Sequence, residues 1–244
     1  MGEAKRRQQT GAPAPRPNAK RGGGRAWIIV GITVVILGIG LALLTAPPSP
    51  TSDELPVASE DTPPFPAQLD EFGISTGPAD ATVVVREFAD YQCPACGRFA
   101  DATERLRKEY VDTGKVRFVY FDLPLQQHAN AVPAAMAARC AGDQDAYWPM
   151  HERLFAEQSQ WSEAEEPLPL FTGYANDLSL NARRFNTCMT TDLHQEAIGQ
   201  SRQAAVSLRV TSTPTVYVNN IRLTNASWAQ LSAVVERELK AASN

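Results

Sequence analysis

The sequence predicts an α/β fold: a β-α-β unit, a helical insertion and a β-β-α unit, preceded by one transmembrane helix. Three observations carry this. An uncharged apolar run fills residues 27–44, and a β-branched segment leads into two cysteines spaced Cys-x-x-Cys and then into an amphipathic stretch. Roughly 90 residues of helical periodicity then separate the second strand from a late strand pair joined by Asn219-Asn220.

The apolar run, "WIIVGITVVILGIGLALL", holds 18 residues, just enough for a bilayer core that takes ~20. Before it stand Lys5, Arg6, Arg7, Arg16, Lys20, Arg21 and Arg25 against Glu3 alone. Residues 1–25 are therefore a basic tail that the positive-inside rule keeps in the cytoplasm. A cleaved signal peptide is the competing reading, with an apolar core of ~7–15 residues and a small-x-small cleavage site. Leu44 spoils that spacing before Ala46, and Pro47-Pro48 follows at once. Residues 26–46 thus read as an uncleaved signal anchor, with everything after them extracytoplasmic.

The exported part carries 16 basic and 26 acidic residues, a net charge of −10 that the overall −4 conceals. An acidic domain of this kind excludes a nucleic-acid face. Seven prolines mixed with Ser, Thr, Asp and Glu fill residues 47–66, the composition of an extended spacer. Residues 67–244 then form one compact domain, with a helical insertion over about 126–208.

Within that domain Gly77-Pro78-Ala79-Asp80 is a turn, and residues 81–88, "ATVVVREF", make a strand covered on both faces. Phe99, Ala102, Leu106 and Tyr110 recur at helical spacing, with charged residues between them. Asp112-Thr113-Gly114 ends this helix, and residues 116–121, "VRFVYF", form a second strand, parallel to the first. Helices are expected at 129–141, 144–158, 168–176, 181–189 and 191–208. Residues 215–218 and 221–223 form a hairpin across Asn219-Asn220. Asn225 or Ser227 caps a last helix with the stripe Trp228, Leu231, Val234, Val235 and Leu239. The sheet should be mixed, with helices on both faces and a helical cap.

The stretch "FADYQCPACGRF" holds Cys93 and Cys96, and Cys140 and Cys188 complete an even count of four. Outside the reducing cytosol such a count favours disulfides. A structural zinc site needs four ligands and usually a second close cysteine pair. Here Cys140 and Cys188 are far apart in sequence, and His128, His151 and His194 are scattered, so no metal is expected. Haem attachment needs His after Cys96, where Gly97 stands.

A Cys93–Cys96 ring is too small to constrain the unfolded chain much, whereas a Cys140–Cys188 loop would contribute about 4 kcal/mol by the loop-entropy argument. The latter is read as the structural disulfide, tying two helices of the insertion. Cys93 falls where strand becomes helix, with Pro94 at the first helical position. The positive end of a helix stabilises a thiolate there and makes it both nucleophile and leaving group. Cys93 is therefore the attacking or attacked sulfur, and Cys96, nearly one turn in, resolves. His128 reads as a surface residue before a helix, and His151 and Trp148 as helix packing.

Over about residues 67–244 the chain resembles the DsbA-like thiol:disulfide oxidoreductases of the thioredoxin superfamily. The matching segments are "VVREFADYQCPACGRF", "HANAVPAAMAARCAGDQDAYWPMHERLF" and "VTSTPTVYVNN". The membrane-anchored form with a second cysteine pair in its helical region is the most similar. The resemblance implies a thioredoxin fold, no cofactor, and a cis Thr213-Pro214 bond facing the cysteine pair, whose backbone edge receives a substrate strand. A proline merely opening a strand is the plainer alternative. It also implies that Glu87 is a buried acid that takes protons from the resolving cysteine. Strand alternation leaves open whether Glu87 or Arg86 points inward, so a solvated Glu at a sheet edge stays possible. Many related oxidases have His between the cysteines; Ala95 adds neither hydrogen bond nor charge.

The expected function is an exported, membrane-tethered thiol:disulfide oxidoreductase that introduces disulfides into cysteine-containing exported proteins through Cys93–Cys96. By the resemblance, a membrane quinone-linked partner of the DsbB or vitamin K epoxide reductase type reoxidises it. Two alternatives remain: a reductase or isomerase of the same fold, for example in cytochrome maturation, and a non-catalytic chaperone or peptide-binding module.

Overall fold

The computed structural model describes residues 55–59 and 61–243. The basic tail, the anchor at 26–46 and residues 47–54 and 60 of the spacer lie outside the described residues. Among those described, no helix is long and apolar enough to cross a membrane.

Five strands form one mixed sheet among the described residues, in the order β1-β3-β2-β4-β5. These are β1 (Ile74–Thr76), β2 (Val83–Ala89), β3 (Val116–Asp122), β4 (Thr215–Val218) and β5 (Ile221–Arg222). Central β2 pairs parallel with β3, from Val83↔Val116 to Ala89↔Asp122, and antiparallel with β4 from Val85↔Val218 to Phe88↔Thr215. Both its faces are covered, which is why its sequence reads as near-continuous β-branched and apolar residues.

The helix α1 (Pro94–Leu106) follows β2 and widens into a single π turn at Arg107–Val111. The insertion supplies α2 (Ala131–Gly142), α3 (Tyr147–Ala156), α4 (Gln158–Trp161), α5 (Leu168–Asp177), α6 (Ala182–Thr190) and α7 (Gln195–Ser207). After the hairpin, α8 (Trp228–Ala242) starts at Ser227, whose hydroxyl accepts from the Gln230 N–H. Of the two proposed caps, Ser227 is the one used.

Two cores lie on opposite sides of the sheet. One packs Val83, Val85, Phe118 and Tyr120 against α1, α8 and the insertion. The other packs Phe88, Val119 and Phe121 against Ala204 and Ala205 of α7. Asn219 closes the β4–β5 hairpin at a φ of 54°, a left-handed conformation that Asn tolerates. Its side-chain carbonyl accepts from the Val84 N–H at 3.0 Å, extending the ladder by one rung.

The sequence reading needs two adjustments. It had no counterpart for the three-residue β1 or for the six-residue 3-10 helix Ala67–Phe72, both too short to show a period. The folded unit also reaches upstream of residue 67. Leu55 and Ala58 pack against the core, the Pro56 carbonyl accepts from Arg237 at 2.8 Å, and the Arg86 guanidinium sits 4.1 Å over the Phe65 ring.

Candidate active site

The site grows out of the chain reversal between β2 and α1. Cys93 occupies the N-cap of α1 in extended conformation, and Pro94 takes the first helical position. The Cys93 carbonyl accepts from the Gly97 N–H at 3.1 Å, so the first helical turn closes around the Cys-x-x-Cys ring. Cys96 is fully buried against the core, while Cys93 retains 7% exposure. Both are free thiols here.

Burial and hydrogen bonds drive the two sulfurs in opposite directions. Cys93 is lowered from the ordinary 9.0 to about 5. The hydrogen bond from the Cys96 thiol is the largest cause; the Thr213 side chain and the Cys96 and Ala95 backbone N–H groups add to it, against an opposing effect of burial. For Cys96, burial comes first and the bond given to Cys93 second, and both push its thiol far up. One sulfur is thus held as a thiolate near neutral pH and the other as a thiol.

Thr213-Pro214 is a cis peptide immediately before β4. The Cys93 thiol donates to the Thr213 carbonyl at 3.6 Å, and the buried Thr213 hydroxyl has no hydrogen-bond partner among the described residues. The carbonyl thus accepts from the thiol form, while the unpartnered hydroxyl beside it favours the thiolate.

Glu87 is 2% exposed, on the face of β2 that meets α1. The ambiguity between Glu87 and Arg86 resolves because both are buried, on opposite faces. Arg86 forms a two-pronged ion pair with Asp70, at 2.6 and 2.8 Å, on the far side. Among the described residues Glu87 has no cation, and its carboxylate accepts only the Thr103 hydroxyl, at 2.7 Å. Burial raises it from 4.5 to about 7, with the Thr103 bond opposing. Its charge is felt by Cys96. Because β2 is the central strand, the reading of Glu87 as a solvated edge residue does not hold.

Polar side chains that the sequence reading passed over hold this loop in place. Buried Asp90 accepts from the Gln92 N–H at 2.7 Å, the Leu125 N–H at 2.8 Å and the His128 ring at 2.7 Å. His128 is thereby tied into the site's support instead of standing free on the surface. Gln158 donates to the carbonyls of Tyr91 at 2.6 Å and Cys93 at 3.0 Å. A Cβ on Gly97 would lie 2.6 Å from the Gln158 amide oxygen, so a side chain there would push this amide off the two carbonyls. Thr103 carried a visible signal, a polar residue within the buried stripe of α1. Asp90 and Gln158 carried none, since their partners are backbone groups distant in sequence. His151 lies in the core, bonded to the Tyr91 hydroxyl at 2.9 Å, and burial lowers it to about 3, so it is neutral packing.

Cys140 and Cys188 form a disulfide joining α2 to α6, with Cα atoms 5.7 Å apart.

A strand that ends in a paired sulfur site at a helix N-terminus, faced by a Thr-Pro loop, is the architecture of the thioredoxin-fold thiol:disulfide oxidoreductases. The Thioredoxin family model matches residues 70–237, and the chain belongs to that family, within its DsbA-like members. It is 30% identical over 171 residues to the probable disulfide bond formation protein D of Bacillus anthracis, covering 68% of this chain and 78% of that protein. The crystal structure of oxidised BdbD from Bacillus subtilis superposes with a TM-score of 0.62 at 26% identity, covering 70% of this chain and 94% of that one. A third similarity is to a stretch of the Na(+)/H(+) antiporter NhaA 1 of Salinispora arenicola, 35% identical over 147 residues and 60% of this chain. The chain spans only 21% of the length of that antiporter.

Proposed function

We propose that the protein is an exported thiol:disulfide oxidoreductase, tethered to the membrane by residues 26–46, that introduces disulfides into cysteine-containing exported proteins. The observation that carries this reading is the opposed poise of the two sulfurs, a Cys93 lowered to about 5 beside a Cys96 pushed far up. A stabilised thiolate favours the dithiol form of the enzyme and so makes its disulfide the more oxidising.

In the oxidising direction a substrate thiolate attacks the Cys93 sulfur of the Cys93–Cys96 disulfide. The substrate–Cys93 bond forms, the Cys93–Cys96 bond breaks, and Cys96 leaves as a thiolate that takes a proton from Glu87. A second substrate thiolate then attacks the first substrate sulfur and expels Cys93 as a thiolate, a good leaving group. The substrate is oxidised by two electrons and the enzyme is left reduced. Thr213-Pro214 offers its backbone edge to the substrate chain, in the manner of strand addition. Cys140–Cys188 is structural in this reading. A membrane quinone-linked partner of the DsbB or vitamin K epoxide reductase type restores the disulfide, and no nucleic acid takes part.

Cys96→Ser removes the group that expels substrate and should accumulate reductant-sensitive adducts with exported proteins, whereas Cys93→Ser should accumulate few. The reduction potential of Cys93–Cys96 should lie above that of the glutathione pool. Equal trapping by both variants, or a potential below that pool, would sink the oxidase reading.

A further inference from the structure

Three residues far apart in sequence meet at the edge of the helical insertion. Cys140 and Cys188 come from α2 and α6, and a ring nitrogen of His194, just before α7, lies within 4.8 Å of both sulfurs. A fourth donor completes the group: an Asp143 carboxylate oxygen stands 2.9 Å from His194 Nε2 and 3.6 Å from the Cys188 sulfur. None of these four residues has a part in the Cys93–Cys96 chemistry.

We propose that Cys140, Cys188, His194 and Asp143 form a zinc site that opens only when their disulfide is reduced. While the sulfurs are bonded to each other they offer a cation little. As thiolates they become two soft donors beside an imidazole and a carboxylate, a donor set that suits zinc. Tetrahedral zinc binds sulfur at about 2.3 Å, and nitrogen or oxygen at about 2.0–2.2 Å, which puts neighbouring ligand atoms roughly 3.3–3.8 Å apart. His194 lies within 4.8 Å of both sulfurs, and Asp143 stands 2.9 Å from His194 and 3.6 Å from Cys188, near that range, while the bonded sulfurs must part to reach it. The sulfurs need only swing apart by side-chain rotation.

Access and charge fit as well. Cys188 and Asp143 line an open cleft of about 630 Å3. Arg183 and Arg184 share this cleft, and Arg184 bonds the Asp143 carbonyl at 2.6 Å. Two thiolates and a carboxylate outweigh those charges locally.

The chemistry balances. A dithiol reductant delivers two electrons and two protons and closes its own disulfide, leaving Cys140 and Cys188 as thiols. Zinc then displaces both thiol protons to solvent. Bound thiolates cannot re-form the disulfide until the metal leaves, so the site would hold the reduced state and report on a reducing environment. The sequence spacing that argued against a metal could not show this cluster, because the fold alone brings α2, α6 and the start of α7 together.

The test uses the full chain with Cys93→Ser and Cys96→Ser, which leaves this pair alone. The protein is reduced with a water-soluble phosphine, stripped of metal and titrated with zinc against a chromophoric chelator. One equivalent should bind to the reduced protein and none to the oxidised. Cobalt(II) in place of zinc should give thiolate charge-transfer and tetrahedral d–d bands. His194→Ala should weaken zinc binding at least ~10-fold and Asp143→Asn by a smaller factor, on the scale of ~10–100-fold known for ligand-shell changes. If reduction loosens the fold, zinc should restore the far-ultraviolet circular dichroism. A reduced protein that takes up no zinc, folded or not, overturns the proposal, and so does an affinity that His194→Ala leaves unchanged.

Discussion

Glu87→Gln removes a titrating proton from the interior while leaving an acceptor for the Thr103 hydroxyl. Glu87 is raised from 4.5 to about 7 by burial. Between those pH values the unfolded chain gives up its proton while the folded chain keeps it. Stability of the wild type therefore falls as pH rises through the window and is flat above it. The gap between 4.5 and about 7, at about 1.4 kcal/mol per decade, sets the full effect at roughly 3 kcal/mol. The Gln variant has nothing to titrate there. Denaturant unfolding of the oxidised proteins, in which neither active-site sulfur titrates, should show the advantage of the variant growing by roughly 2–3 kcal/mol from pH 5 to pH 8. Any pH-independent effect of packing the amide cancels in that difference. The same variant should slow attack by Cys96 on a mixed disulfide, on the order of 10²-fold, since proton transfer by a positioned group contributes that much. An advantage equal at both pH values, or one that shrinks as pH rises, would show that Glu87 does not titrate in the interior and would remove its proton-transfer role.

Three further outcomes are expected. Alkylation of the reduced enzyme at Cys93 should reach half its maximal rate near pH 5, given a thiol lowered to about 5, and a midpoint above 8 would contradict the thiolate account. Asp70→Ala leaves the Arg86 guanidinium buried and unpaired and should cost about 3–5 kcal/mol in thermal or denaturant unfolding; a loss under 1 kcal/mol would mean that Arg86 finds water. Replacing both Cys140 and Cys188 by Ala, which opens a loop with a sequence separation of 48, should lower stability by about 4 kcal/mol with little effect on Cys93 reactivity, the latter read by alkylation rate.

The β-α-β and β-β-α units were legible because their signals are local. The β-branched run 83–89, the proline after Cys93 and the two-residue Asn loop each specify structure within a few positions. The insertion was legible as helices, though Gln144–Ala146 became a turn and α3 and α4 separated at Glu157. β1 was hidden because its three residues owe their conformation to pairing with Phe118, Val119 and Tyr120. The cysteine positions could be read from the chain, whereas the acid's environment could not. Period-two alternation assigns Arg86 and Glu87 to opposite faces, and only the central place of β2 makes both faces interior. Asp90 and Gln158 were out of reach for a different reason. Each hydrogen-bonds to backbone carbonyls or amides of segments brought alongside by tertiary folding.

The back-to-back placement of Arg86 and Glu87 also fixes the pairing frame of the central strand. Shifting β2 by one residue against its neighbours would turn every side chain to the other face. Arg86 would then lose Asp70 and enter the interior beside Thr103, and Glu87 would lose Thr103. Every one-residue slip therefore strands a polar group in the interior, a penalty that an all-valine strand would lack. The same frame pairs Phe88 with Thr215, two residues after Thr213, while β2 runs on toward Cys93. The separation between the sulfur and the Thr213 carbonyl is thus set by strand alignment, and the two polar residues act as its proofreaders during folding.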